Sequence, residues 1–174
     1  MTADAPSHEE LLPLVAAATR VADHGALTPW RLLELRGSAR ERLGAALAQA
    51  SRDALQGEAP DEVERKAARM AAKPLRAPLL IAIVAVHRQS SKVTTWEQDA
   101  AAAGVGHLLS LVLDDAGWGV MWRTGTFTDA PPVRTVHRLE ESEHLLGWLY
   151  VGGRPPGSRD RKSRIDPADV LTKL

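Results

Sequence analysis

The run of eight apolar residues Leu79–Val86, LLIAIVAV, constrains the fold of this chain more than any other segment. It is short, rich in β-branched side chains, and shows no alternation of polar and apolar positions. A run of this kind is typical of a strand that is buried on both faces of its sheet. We therefore expect Leu79–Val86 to be an interior strand.

Apolar periodicity and turn residues predict the elements around this strand. The predicted helices cover about residues 8–19, 38–55, 60–72, 95–117 and 130–138, and the further strands about 30–35, 120–122 and 145–151. Four helix starts are marked by the capping patterns Ser7 with Glu10, Ser38 with Glu41, Thr95 with Gln98, and by Asp129. This order of helices and strands favours a layered α/β or α+β fold with four or more strands.

Composition excludes several classes of protein. The chain has 22 basic and 22 acidic residues, so no overall field favours nucleic acid or a membrane surface. No apolar run approaches the roughly 18 residues of a spanning helix, and the acidic start Met1–Glu10 predicts no secretory signal. Because there is no cysteine, disulfides and thiolate chemistry are ruled out. We expect a single cytoplasmic domain over residues 1–174, with no metal, nucleic-acid or membrane partner.

Two segments carry groups suited to a flavin cofactor. Thr19–Trp30 and Trp122–Phe127 each place cationic or hydrogen-bonding side chains in a turn beside a strand end. Flavin mononucleotide (FMN) needs cationic donors for its phosphate, donors near N1 and O2 of its ring, and a flat apolar wall. The candidate donors are Arg20, His24, Arg123 and Thr124, and the candidate wall is Trp122. The alternative is that the two arginines are surface ion-pair partners and that His24 is a turn residue.

Four blocks of the chain, taken in order, resemble the minimal FMN-dependent members of the nitroreductase family. The similarity extends over about residues 9–152. The blocks are AAATRVADHGALTPWRLLEL (Ala16–Leu35), KPLRAPLLIAIVA (Lys73–Ala85), KVTTWEQDAAAAG (Lys92–Gly104) and GWGVMWRTG (Gly117–Gly125).

The resemblance implies an α+β fold, a three-layer sandwich with a central, mainly antiparallel sheet. It also implies a homodimer with two FMN sites at the subunit interface. Arg20 and His24 would contact FMN from one subunit, and the segment Trp122, Arg123 and Thr124 from the other. The small residues of Ala100–Gly106 would then pack either at the dimer core or within one chain.

One departure from the family concerns the FMN phosphate. Family members normally begin with an Arg-Arg-Ser segment that holds it, and this sequence has no arginine before Arg20. Three explanations stay open: a start further upstream, another phosphate clamp, or weak FMN binding. Residues 153–174 are expected to form an extended basic arm, whose Arg159, Arg161 and Lys162 either replace the clamp or remain solvated.

The resemblance predicts an oxidoreductase that uses FMN to pass hydride from NAD(P)H to an unidentified small-molecule acceptor, such as a nitroaromatic or a quinone. Because the flavin carries the chemistry, no catalytic acid or base is named. The alternative is a non-catalytic dimer of the same fold that lacks or sequesters flavin.

Overall fold

The structure is a computed structural model that describes residues 1–157 and 165–173. In this part of the chain, five α-helices surround a four-stranded sheet. The helices are α1 (His8–Ala18), α2 (Ser38–Ala54), α3 (Pro60–Ala71), α4 (Thr95–Asp115) and α5 (Pro131–His137). The strands are β1 (Trp30–Leu35), β2 (Leu79–Val86), β3 (Trp118–Arg123) and β4 (Glu143–Gly153). Arg159, Arg161 and Lys162 lie outside the described residues.

The sheet has the order β1-β2-β4-β3, and every neighbouring pair is antiparallel. Each of the eight residues of β2 is buried, as the sequence predicts. Alternate side chains of β2 enter two separate cores. Leu80, Ala82 and Val84 pack with α2 and α5, whereas Ile81 and Ile83 pack with α1 and α4. The predicted three-layer α+β sandwich is confirmed.

The strands β3 and β4 extend beyond their predicted bounds. Sequence patterning predicts strands where apolar residues are dense, whereas β3 also includes Gly119 and Arg123, and β4 continues into polar or small residues at both ends. Glu143 pairs with Val86 at one end of β4, and Gly153 pairs with Trp118 at the other. Within the described residues, no helix combines the length and apolar character that a bilayer crossing requires.

The capping predictions are confirmed for α1 and wrong for three other helices. The Glu10 N–H donates to Ser7 Oγ at 3.2 Å, and the Ser7 N–H donates to Glu10 Oε2 at 2.7 Å. Helix α2 instead starts after Gly37, with no side-chain cap. Gly37 has φ of +46°, a conformation that glycine adopts without strain.

The cap of α4 lies one residue earlier than predicted. The Thr94 N–H donates to Glu97 Oε1 at 3.1 Å, which leaves Gln98 free for another role. Gln98 is buried and bonds both the N–H and the carbonyl of Arg88, at 2.7 and 3.0 Å. Asp129, predicted to cap α5, instead forms an ion pair with Arg134 at 2.7 Å.

A β-bulge in the centre of the sheet fixes the end of β3. The register of β2 against β4 shifts between Ile83 and Val84, opposite Gly147. Gly147 has φ of +141°, and a Cβ atom there would lie 2.5 Å from the Arg123 carbonyl oxygen. Only glycine allows this close approach. The bulge therefore sets where β3 leaves the sheet, immediately after Arg123.

A charged pair joins β1 to the first residue of β4. Arg31 Nη2 lies 2.6 Å from Glu143 Oε2, and the Glu143 side chain is only 7% exposed. The same guanidinium donates to the carbonyls of His137 and Arg138, at the carboxyl end of α5. The hydrogen bond from Arg31 lowers the pKa of the Glu143 carboxyl below its ordinary value.

Replacement of Glu143 by Gln should lower the free energy of unfolding at pH 7 by about 1–3 kcal/mol, because it leaves Arg31 partly buried without its charged partner. Since the folded pKa of Glu143 is depressed, this stabilisation is present above the unfolded pKa of about 4.3. It is lost as pH falls through the folded pKa. Urea unfolding at pH 7 and in acid measures both effects. The exposed Glu141→Gln is the control, and equal stability of Glu143→Gln and wild type at pH 7 would refute the role of the pair.

Candidate functional site

The two adjacent residues Trp122 and Arg123 point to opposite faces of the sheet. Side chains alternate along a strand, so Trp122 packs on the side of α1 and α4, and Arg123 opens on the side of α2 and α3. The Trp122 ring lies against α4, with its centroid 4.8 Å from that of His107. Within one chain, the structure therefore does not bring the predicted wall, Trp122, to the cavity that Arg123 lines.

A cavity with an apolar floor lies beside Arg123. We call it the Arg123 compartment; its polar groups include those of Arg123, Thr124 and Lys73. The Arg123 guanidinium carbon is 5.6 Å from the centre of the Tyr150 ring, a cation–π distance. The other lining residues are Leu47, Met70, Trp148, Tyr150 and the loop 125–128.

The Trp148 ring in this compartment is held by a chain of hydrogen bonds. Its indole N–H donates to His137 Nε2 at 3.0 Å, and His137 Nδ1 lies 2.8 Å from the Val133 carbonyl oxygen. These contacts assign the neutral tautomer with the proton on Nδ1. Burial lowers the pKa of His137, which favours the same neutral form. The aromatic wall is thus fixed from behind by a buried imidazole.

The cavity continues past Lys73 into a second, basic space that we call the distal compartment. It shares Met70, Lys73, Arg123 and Phe127 with the Arg123 compartment. Its further lining residues are Ser51, Ala54, Leu55, Lys66, Arg69 and Arg76. Among the described residues, no aspartate or glutamate lines either compartment. The whole cavity therefore presents a positive surface.

This concentration of charge acts on Lys73 and Tyr150. Partial burial is the main cause that lowers the pKa of the Lys73 ammonium. The positive charges that lower it further are those of Arg76, Arg69 and Arg123. Burial raises the pKa of the Tyr150 phenol, against the opposing influence of Arg123 and Arg76. A bound anion would relieve the repulsion around Lys73.

His24 lies in a different part of the molecule, against the first turn of α4. It belongs to a short 3-10 helix, His24–Ala26, whose flanking backbone N–H groups of Leu27 and Thr28 donate to the Asp23 carboxylate at 3.1 and 2.8 Å. His24 Nδ1 lies 2.9 Å from Glu97 Oε2, and this contact is the main cause that lowers the pKa of Glu97. A shallow pocket beside the pair includes Trp96, Ala100 and Gly104.

Arg20 is exposed, and its side chain forms no hydrogen bond or ion pair with any part of the chain that the structure describes. The same holds for Arg123, apart from its contact with Tyr150. The ion-pair alternative for these two arginines is therefore not observed, whereas His24 does lie in a turn. One chain places Arg20 and His24 away from the cavity that contains Arg123 and Thr124.

Sequence reasoning missed the other residues of the cavity. Lys66, Arg69, Lys73 and Arg76 recur at intervals of three or four residues, which is the spacing of one helical face. That pattern was available as a signal. Tyr150 gave no such signal, since it lies in a continuous apolar strand and only the strand alternation turns it towards Arg123.

Comparison with solved structures identifies the fold as nitroreductase-like. A nitroreductase-like family protein from Bacillus cereus superposes with a TM-score of 0.81 and 18% identity, over 100% of this chain and 88% of that one. A nitroreductase from Bacteroides fragilis, solved with bound FMN, gives a TM-score of 0.73 and 14% identity, over 99% and 90% of the two chains.

The sequence comparisons assign the family. Residues 2–153 match the model of the Nitroreductase family. The chain is also 33% identical over 148 residues to "Putative NAD(P)H nitroreductase YdjA" of Escherichia coli, a match that covers 85% of this chain and 78% of the relative. The chain belongs to the nitroreductase family.

Replacement of Gly106 by Ala should displace the Trp122 ring, because a Cβ at position 106 would lie 2.4 Å from it. We expect a loss of about 1–3 kcal/mol in the free energy of unfolding, with a shift in tryptophan fluorescence. Gly104→Ala is the matched control on the same helix, since its Cβ would meet only a Val21 methyl group, at 3.3 Å. If both variants are equally stable and fluoresce alike, the Trp122 contact does not constrain α4.

Proposed function

We propose that this chain is an FMN-dependent oxidoreductase that passes hydride from NAD(P)H to a small-molecule acceptor. One observation carries the proposal: a member of the nitroreductase family has, at the end of β3, a compartment with aromatic walls whose polar groups include Arg123, Lys73 and Thr124. A relative named as an NAD(P)H nitroreductase and a structural neighbour with bound FMN support it.

The residues of the Arg123 compartment fit a flavin. Its ring needs an apolar wall, which Trp148, Tyr150 and Met70 offer. The pyrimidine end gathers negative charge on reduction, and a cationic group nearby stabilises that charge. Arg123 and Lys73 would supply it, and the Thr124 hydroxyl would add a neutral hydrogen bond.

When bound, FMN supplies the hydride relay between the nicotinamide and the acceptor. The chain would supply binding, orientation and electrostatics. The hydrogen bond from Trp148 to His137 would keep the wall of the compartment in one position. The electrostatic repulsion between Lys73 and the nearby arginines would fall when an anionic ligand binds. That decrease would contribute to the binding free energy. We assign no catalytic acid or base.

We further propose that the functional unit is a homodimer whose interface includes α4. Residues Trp96, Ala100, Ala103, His107 and Leu111 follow one another at helical spacing. Of these, Trp96 is 69% exposed and Leu111 is 64% exposed, which is unusual for large apolar side chains on one helix face. Ala101, Ala102 and Val105 are buried within the chain, so the small-residue stretch serves intrachain packing on its other side.

In such a dimer, the partner's copies of the Arg20 and His24 segment would complete the site around Arg123 and Thr124.

Replacement of Arg123 by Gln should weaken FMN binding by about tenfold or more, because a charged hydrogen bond contributes about 1.5–3 kcal/mol. It should also make the flavin harder to reduce. Titration of the flavin absorbance band and a measured reduction potential report the two effects. Arg42→Gln is the control, since Arg42 is exposed on α2 and bonds Ser38 Oγ at 3.1 Å. A wild-type protein that binds no FMN, or bound flavin that NAD(P)H does not bleach, would overturn the proposal.

A mixing experiment tests the shared site. The His24→Ala and Arg123→Gln variants should each bind FMN weakly, because every site in either homodimer lacks one contact. If the site joins both subunits, a heterodimer of the two variants has one intact site and one doubly altered site. Tight binding should then return to about half of the sites in each heterodimer. No recovery on mixing, or a monomer in sedimentation, would exclude the shared site. His8→Ala is the control, because His8 forms a similar pair with Glu34, at 2.7 Å.

A further inference from the structure

The distal compartment contains cations that the protein itself leaves unneutralised. Among the described residues, no carboxylate lies within 4.0 Å of Arg69, Lys73, Arg76 or Arg123, whereas Lys66 reaches Glu62 at 3.4 Å. Two other arginines, one on α2 and one on α3, are paired with carboxylates. Arg52 binds Glu64 at 2.8 Å, and Arg65 binds Glu62 at 2.6 Å. Unlike Arg52 and Arg65, the arginines that line the cavity have no carboxylate partner in the part of the chain that the structure describes.

A bound anion would reduce the repulsion among the cations that line this cavity. The pKa of the partly buried Lys73 ammonium is lowered mainly by burial, and further by the positive charges of Arg76, Arg69 and Arg123. The apolar neighbours Met70, Leu55 and Phe127 reduce solvent screening on one side of the group. A ligand that brings negative charge would stabilise all of these side chains together.

The chemistry of the cluster favours a phosphate monoester over a carboxylate. Two guanidinium groups, Arg69 and Arg76, can each bind phosphate oxygens in bidentate fashion. A phosphate monoester carries close to two negative charges at pH 7, so it matches several cations at once, whereas a carboxylate carries one. The space of about 470 Å³ lies within the range of ordinary ligand sites. The cluster lines a cavity in a chain of zero net charge, which does not favour an extended polyanion.

We infer that the distal compartment binds the phosphate monoester of a nucleotide seated in this cavity, through Arg69 and Arg76 with Lys66 beside them. The inference rests on the proposed flavin function. The phosphate has two possible sources, the 5′-phosphate of FMN or the 2′-phosphate of NADPH. Either source makes the compartment a selectivity device: it favours FMN over riboflavin, or NADPH over NADH.

The test uses the full chain and the double variant Arg69→Gln/Arg76→Gln. Its control is Arg42→Gln/Arg65→Gln, which removes one positive charge from α2 and one from α3, both outside the cavity. Affinities are measured for FMN and riboflavin, and KM for NADPH and NADH at saturating flavin. Inorganic phosphate binding, followed by tryptophan fluorescence without flavin, is a third measurement.

The double variant should bind either FMN or NADPH about tenfold more weakly, or worse. Binding of the corresponding ligand without the phosphate, riboflavin or NADH, should change by less than about twofold. Loss of FMN selectivity identifies the flavin phosphate as the source, and loss of NADPH selectivity identifies the nicotinamide phosphate. The control should retain both ratios.

Two ratios decide the test: the affinity for FMN relative to riboflavin, and the KM for NADPH relative to NADH. The inference is overturned if both ratios, and the binding of inorganic phosphate, are the same in the double variant and the wild type. It is also overturned if phosphate-free ligands lose as much affinity as phosphate-bearing ones. Should the wild type bind no flavin, the proposed function fails by itself. Inorganic phosphate binding that the double variant loses and the control keeps would then still support the anion site.

Discussion

Strand β2 is covered on one face by α1 and α4 and on the other by α2 and α5, and its edges are paired with β1 and β4. No backbone or side-chain group of this strand is accessible to a ligand. Strand β2 therefore stabilises the fold, and the functional groups must come from the other strands and from the loops that leave them. The proposed site follows this division, since Arg123 is the last residue of an edge strand and Thr124 the first of a loop.

The bulge at Gly147 connects this constraint to the site. Gly147 lets β3 approach β4 closely, because a side chain there would meet the Arg123 carbonyl oxygen. The pairing of β3 with β4 therefore continues as far as Arg123 and ends there. On the neighbouring strand, the alternation that buries Leu149 turns Trp148 and Tyr150 towards the other core. The register of β3 against β4 thus places Arg123 beside the aromatic side chains of Trp148 and Tyr150.

The distribution of charge sets the cavity apart from the rest of the surface. Several cations elsewhere are paired, as in the buried contact of Arg31 with Glu143. Around Lys73 it gathers cations over apolar side chains and provides no carboxylate. Opposite faces of the sheet separate this cavity from the His24 segment, which explains why a second subunit is needed in the proposed arrangement to bring the two together.

The sequence by itself determined the elements, because their signals are local. The unbroken apolar run predicted β2, the pairing of Ser7 with Glu10 predicted the start of α1, and ordered blocks predicted the nitroreductase fold. Cap positions at α2 and α4 were less well determined, since a shift of one residue leaves the local pattern almost unchanged. The tertiary structure alone decided which face each residue occupies. Strand alternation separates Trp122 from Arg123, and helix packing decides that the helical face of Arg69, Lys73 and Arg76 lines a cavity. Such groupings depend on strand register and on the packing of helices distant in sequence, and neither is encoded within a short window of residues.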